Sequence, residues 1–190
     1  MPFENRRTNA RYGLALDLGT TTMEMALWDL WEARELGRVK KLNPQRRMGP
    51  DVMSRISFVM EKGEEAARLL QMTVCQGINL MARELWGKLE RAVGGGEVET
   101  FVVSANCVML HLLLGRKVTG MGMFPFKPEF TEGVGMPARD VGIFLPGNPQ
   151  MLCLPSASAF VGADAVAGYW AVSKRGATGH SEGSSASSTG

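Results

Sequence analysis

From Tyr12 to Leu18 the chain reads YGLALDL, an apolar run dense enough for a central strand. Gly19 breaks it, and three threonines follow. Across Thr22–Trp28, Met23, Met25 and Leu27 alternate with Glu24 and Ala26, the two-residue period of a second strand. Asp29–Ala33 predicts a turn, and Arg34–Leu42 a polar third strand near a sheet edge. Three successive strands joined by short turns predict an antiparallel meander rather than a βαβ opening. Asn43-Pro44 then punctuates the chain, and Pro50-Asp51 supplies a start signal for a helix over Val52–Met60. After Gly63, the steps Ala66, Leu70, Val74, Ile78, Met81, Leu85 and Leu89 predict a long amphipathic helix, Glu64–Val93, ended by Gly94-Gly95-Gly96. Thr100–Val103 reads as a strand, and Ser104-Ala105-Asn106 leads into a short helix reaching Leu114 and closed by Gly115. Phe124-Pro125-Phe126 with Pro128 predicts an ordered, non-helical connection. Val141–Leu145 and Met151–Leu154 read as two further strands, and Ser158–Tyr169 as a last helix. Strands and helices interleave, so the class is α/β with a mixed sheet that opens on an antiparallel three-strand meander and is flanked by helices.

Composition narrows the function. The 190 residues carry a formal net charge of +2, with 45% hydrophobic and 21% charged positions. That balance argues against nucleic acid or an anionic membrane as partner, and no apolar run is long enough to span a bilayer. The polar leader at residues 1–11 lacks the apolar core of a signal peptide, and a cytoplasmic location is expected. Residues 173–190 are rich in Ser and Gly and predict disorder, so His180 there reads as solvated. Cys75, Cys107 and Cys153 are odd in number and far apart, which disfavours a disulfide framework, a zinc site or an iron–sulfur cluster in this chain.

The most informative local stretch is Leu16-Asp17-Leu18-Gly19-Thr20-Thr21-Thr22. An acidic residue ends a buried strand, a glycine permits a tight turn with positive φ, and three hydroxyl residues lead into the next strand. Successive backbone N–H groups in such a turn form a concave anion site, to which a hydroxyl adds a donor. Asp17 at that edge can hold Mg²⁺ through water. An ordinary β-turn whose threonines bond their own backbone is the competing explanation.

The D-x-G-T-T pattern between the first two strands of a meander resembles the phosphate-1 motif of the actin-like ATPase superfamily. A narrower resemblance covers nearly all of residues 12–172. GLALDLGTTT (13–22), LNPQRRMGPDVMSRIS (42–57), HLLLG (111–115), FPFKP (124–128) and LPSASAFVGADAVAG (154–168) follow in order. Together they resemble the actin-like ATP-binding region of the reductive activators of corrinoid-dependent enzymes. That resemblance implies a ribonuclease H-like or actin-like lobe over 12–172. It also implies ATP and Mg²⁺ as ligands, with Asp17, Gly19, Thr20, Thr21 and Thr22 at the phosphates. The implied activity is ATP-driven return of an inactive Co(II) corrinoid protein to Co(I). Asp164, in the stretch F-V-G-A-D, would sit near the nucleotide cleft as a water-orienting or metal-supporting group, a hydrogen-bonded helix residue being the plainer explanation.

The departures from the pattern limit the claim. Relatives follow the F-V-G-A-D helix with a second phosphate motif of the D-I-G-T-N-G-E type and a glycine-rich adenosine site, and they carry a ferredoxin domain with a [2Fe-2S] cluster. None of these appears here. Relatives read G-N-T-T-M before the histidine, whereas this chain has Ala105-Asn106-Cys107-Val108-Met109. The expectation is one lobe of a two-lobed ATP clamp, truncated or split, whose partner is a corrinoid protein and which is completed by a second lobe or by a homodimer. A non-catalytic partner-binding relative and a small-molecule kinase of the same superfamily stay open. An apolar patch at Phe160, Val161, Tyr169 and Trp170 predicts dimerisation or marginal solubility. His111 reads as a satisfied core histidine, and Arg46, Arg47, Asp51 and Arg55 as a solvated charged face around a helix start. Cys107 opens a helix, where a thiol's pKa can fall, though a lone cysteine without a base is usually structural. Met23, Met25, Met60, Met81 and Met109 read as packing.

Overall fold

A computed structural model describes residues 11–93 and 96–156. The predicted helix Ser158–Tyr169, Asp164, the apolar patch and the tail lie outside the described residues.

The chain begins with β1 (Arg11–Leu18), β2 (Thr22–Asp29) and β3 (Arg34–Leu42). β1 pairs antiparallel with β2, and β2 with β3, which is the meander expected from the alternation. A short 3₁₀ turn, Pro44–Arg47, leads to α1 (Val52–Lys62) and then α2 (Glu64–Val93). β4 (Glu97–Ala105) runs parallel to β1 and feeds α3 (Cys107–Leu113). β5 (Val134–Pro137) and β6 (Gln150–Cys153) complete a six-stranded mixed sheet in the order β3-β2-β1-β4-β6-β5. The polar third strand is therefore an edge, and the apolar first strand is central.

The core follows from periodicity. All seven predicted positions of α2, from Ala66 to Leu89, are buried against the sheet side of the helix. They join Leu14, Leu16 and Leu18 of β1, Phe101 and Val103 of β4, and every side chain of α3. Met23, Met25, Met81 and Met109 are buried as expected, while Met60 is 45% exposed: it projects outward near the end of α1.

Two strand assignments change. Val141–Leu145 is not a strand. A 3₁₀ turn, Ala138–Val141, ends at Gly142 with φ 87°, a left-handed conformation that a strand does not accommodate. Asn79 of α2 then satisfies this backbone in place of a ladder, donating to Gly142 O at 2.9 Å and accepting from Phe144 N at 2.8 Å. β5, conversely, carries no sequence signal, because its four residues, VGMP, include a glycine and a proline.

Candidate functional site

The β1–β2 turn sits at the end of the central strand, beside the end of the parallel neighbour β4, where Asp17 pairs with Ser104 and Leu18 with Ala105. The carboxyl ends of parallel strands are where α/β sheets place their ligands. A hollow of about 300 Å³ lies along the sheet surface beside this end, lined by Ala15, Asp17, Ala26, Trp28, Arg38 and Val102 among others, and none of Gly19, Thr20, Thr21 and Thr22 lines it. Arg38 ion-pairs there with Glu24 and Glu35, which holds both carboxyls below the usual range.

The turn is held from below by three residues on three different elements. Asn43, at the end of the meander, donates from Nδ2 to Gly19 O at 2.9 Å and from its backbone N–H to Thr21 O at 2.9 Å. Arg55, in the first turn and a half of α1, donates from Nη2 to Thr20 O at 2.6 Å. Asn106, the N-cap of α3, donates from Nδ2 to the Thr20 hydroxyl at 3.1 Å. Its Oδ1 accepts from Met109 N at 2.9 Å in the same stroke, capping the helix. The carbonyls of Gly19, Thr20 and Thr21 are thus each engaged. Across a trans peptide the N–H lies opposite the C=O, so the N–H groups of Thr20, Thr21 and Thr22 point away from these clamps.

Gly19 is required by space rather than by backbone angle. Its backbone is not left-handed, but a Cβ there would stand 2.5 Å from Thr22 O. The expected left-handed turn is therefore corrected to a steric one: the turn closes so tightly that only hydrogen fits.

Arg46, Arg47 and Asp51 are exposed, as a solvated charged face requires, but Arg55 departs from that reading. It is fully buried. Its Nε donates to Gly49 O at 2.9 Å, and its Nη1 donates to Gln45 Oε1 at 3.0 Å and lies 2.8 Å from Met109 Sδ. Gln45 is itself buried and donates to Leu70 O of α2 at 2.9 Å. Gly49 leaves the room: a Cβ there would be 2.7 Å from Arg55 N and 2.8 Å from Arg55 Cγ. Asp51 remains at the surface as the N-cap of α1, in a reciprocal capping box with Ser54 that holds its carboxyl below the usual range. Asn43, Gln45, Arg55 and Asn106 are the residues that residue-by-residue reading missed. The available signal was positional, since Arg55 falls on the same helix face as Ile56 and Val59.

His111 is a buried structural histidine. Its Nδ1–H donates to Cys107 O at 2.7 Å, and its Nε2 accepts from Glu129 N at 3.1 Å, which fixes the neutral tautomer. It stacks on Phe130 at 4.2 Å, and burial lowers its pKa. The thiol expectation for Cys107 is corrected: burial raises its pKa despite the helix start, because the side chain is enclosed. Among the described residues no group of three or more His, Cys, Asp or Glu side chains is placed to hold a metal ion. No described helix is long and apolar enough to cross a membrane.

With the turn, its clamps and the sheet order in view, comparison with known proteins is decisive. Residues 12–174 match the family model for the RACo middle region. The chain belongs to that family. A curated relative, the corrinoid activation enzyme RamQ of Eubacterium limosum, is 27% identical over 165 residues, which cover 86% of this chain and 27% of RamQ. A solved reductive activator for corrinoid, iron-sulfur protein superposes with a TM-score of 0.76 at 27% identity, covering 86% of this chain and 26% of that structure. The chain thus spans about a quarter of the length of each of these RACo-type relatives, and its six-stranded mixed sheet has the actin-like fold.

Proposed function

We propose that this RACo-type chain supplies one phosphate-binding lobe of an ATP-dependent reductive activator of corrinoid proteins. The observation that carries the reading is the β1–β2 turn, whose three carbonyls are drawn onto Asn43 and Arg55 while Asn106 holds the Thr20 hydroxyl. Gly19, Thr20, Thr21 and Thr22 would meet the phosphate oxygens, and Asp17 would hold Mg²⁺ through water. When bound, the metal ion neutralises phosphate charge. The chain's own contribution is a rigid set of backbone donors that needs no reorganisation on binding.

In a two-lobed clamp, closure on the nucleotide couples hydrolysis to a change in domain angle. One lobe leaves the adenosine and the opposite phosphate edge to other residues, supplied by a second lobe or a partner copy. The partner acted upon is a corrinoid protein, whose Co(II) form is returned to Co(I). Asp164 is assigned to the cleft by resemblance alone.

Isothermal titration of the 190-residue chain with Mg-ATP tests the division of labour. A dissociation constant weaker than about 1 mM is expected for the lone lobe, with marked tightening when the remaining lobe of a relative is added. Full micromolar affinity without it would overturn the one-lobe reading. Loss of Co(II)-to-Co(I) reduction in a complemented assay on replacing Thr20 and Thr21 by valine would support the role of the turn.

A further inference from the structure

Arg55 presents an electrostatic problem that its hydrogen bonds do not solve. Its guanidinium is fully buried, yet its acceptors are two backbone carbonyls and a side-chain amide, with a thioether alongside. All are neutral. Among the described residues no carboxylate forms an ion pair with it. The charged groups whose fields reach it are Asp51 and Arg46, and they act in opposite directions. A buried cation with no paired carboxylate among the described residues is costly.

The position suggests a use for the charge. Nη2 reaches Thr20 O at 2.6 Å, so the positive charge sits directly beneath the turn. The peptide that follows carries its N–H on the opposite side, which is the side an anion would approach. The guanidinium polarises that peptide through its carbonyl, and a polarised peptide is a stronger N–H donor. Resting on the nucleotide reading above, we infer that Arg55 is a positioning residue whose buried charge is balanced by the phosphate bound across the β1–β2 turn. It does not touch the ligand; it acts through the Thr20–Thr21 peptide. Burial pushes its pKa down to about 10, so it stays charged at neutral pH.

The test uses the full chain with inorganic pyrophosphate and with Mg-ATP, each read as a ligand-dependent rise in melting temperature against sodium chloride of equal ionic strength. R55M keeps the packing volume and removes the charge. R55K keeps a charge that titrates, since a buried lysine's pKa falls well below its ordinary value. Pyrophosphate affinity is expected to fall about tenfold or more in R55M, as for loss of one charge-assisted interaction. In R55K it is expected to lie near wild type at pH 7 and to drop relative to wild type as pH rises towards 9.5. If folded R55M binds as wild type does, or if R55K tracks wild type across the pH range, Arg55 is only a structural brace and the inference fails. Should R55M not fold, the R55K pH profile decides. Stabilisation by pyrophosphate with none by Mg-ATP, even at concentrations well above about 1 mM and with the remaining lobe of a relative added, would leave the role of Arg55 standing and remove the nucleotide reading. Stabilisation by neither would remove both.

Discussion

At the scale of single residues, burial decides chemistry more often than residue type does. The three cysteines are all buried, and burial pushes Cys75 up to about 11 and Cys153 up to about 12. The reactive species is the thiolate. Native protein is therefore expected to show negligible reaction with a disulfide reagent at pH 8, and all three thiols are expected to react at once in denaturant. His111 gives the complementary case. Its folded pKa lies below the ordinary 6.5, so as pH falls the unfolded chain takes up the proton first. Its contribution is present above that value and is lost as pH drops towards the folded pKa. Urea unfolding is expected to show stability falling below about pH 6.5, and H111N is expected to flatten that part of the profile. The histidine's role was legible from its apolar surroundings. Arg55 was not, because a charged residue near a helix start looks solvated until the packing of the preceding loop is known.

At the scale of elements, α3 shows how a short helix is held where propensity alone would not hold it. Seven residues are too few for a stable isolated helix, yet all seven are buried and Asn106 caps them. The same amide bonds the Thr20 hydroxyl, so a helix cap and a turn contact share one side chain. N106A is expected to cost about 1 kcal/mol of stability through the lost cap. N106D keeps a capping oxygen but places a negative charge beside Thr20. It is expected to leave the melting temperature near wild type and to weaken pyrophosphate binding at least tenfold, measured by titration. Equal binding by N106D and wild type would count against an anion at this turn. Element boundaries were legible where a period was long: α2 and β3 were read to the residue. They failed at 134–145, where a four-residue strand and a 3₁₀ turn have no room for periodicity and Asn79, distant in sequence, arbitrates.

At the scale of the whole molecule, stability resides in the apolar layer between α2, α3 and the sheet. The eight ion pairs among the described residues join side chains that are partly or largely exposed, and such pairs contribute about 0–1 kcal/mol each. Raising sodium chloride from low to molar concentration is expected to shift the melting temperature by no more than about 2 °C, because screening removes only these small terms. A large loss on adding salt would show that surface charge, not the core, carries the fold. The central placement of β1 and the edge placement of β3 were readable from composition. The position of the turn at the end of two parallel strands was not, since it depends on the crossover from β1 to β4.

The outer rims of the sheet have a consequence for aggregation. β3 is nine residues long, and an unprotected rim of that length invites a neighbouring molecule to add a strand. Here it carries Arg34, Glu35, Arg38, Lys40 and Lys41, and the register shift at Leu27/Trp28 disturbs its regularity. Among the described residues the opposite rim is β5, only four residues long and ending in Pro137. Fibril-like stacking is thus blocked by charge on one side and by brevity on the other, so contact between copies is steered away from backbone pairing and onto side-chain surfaces.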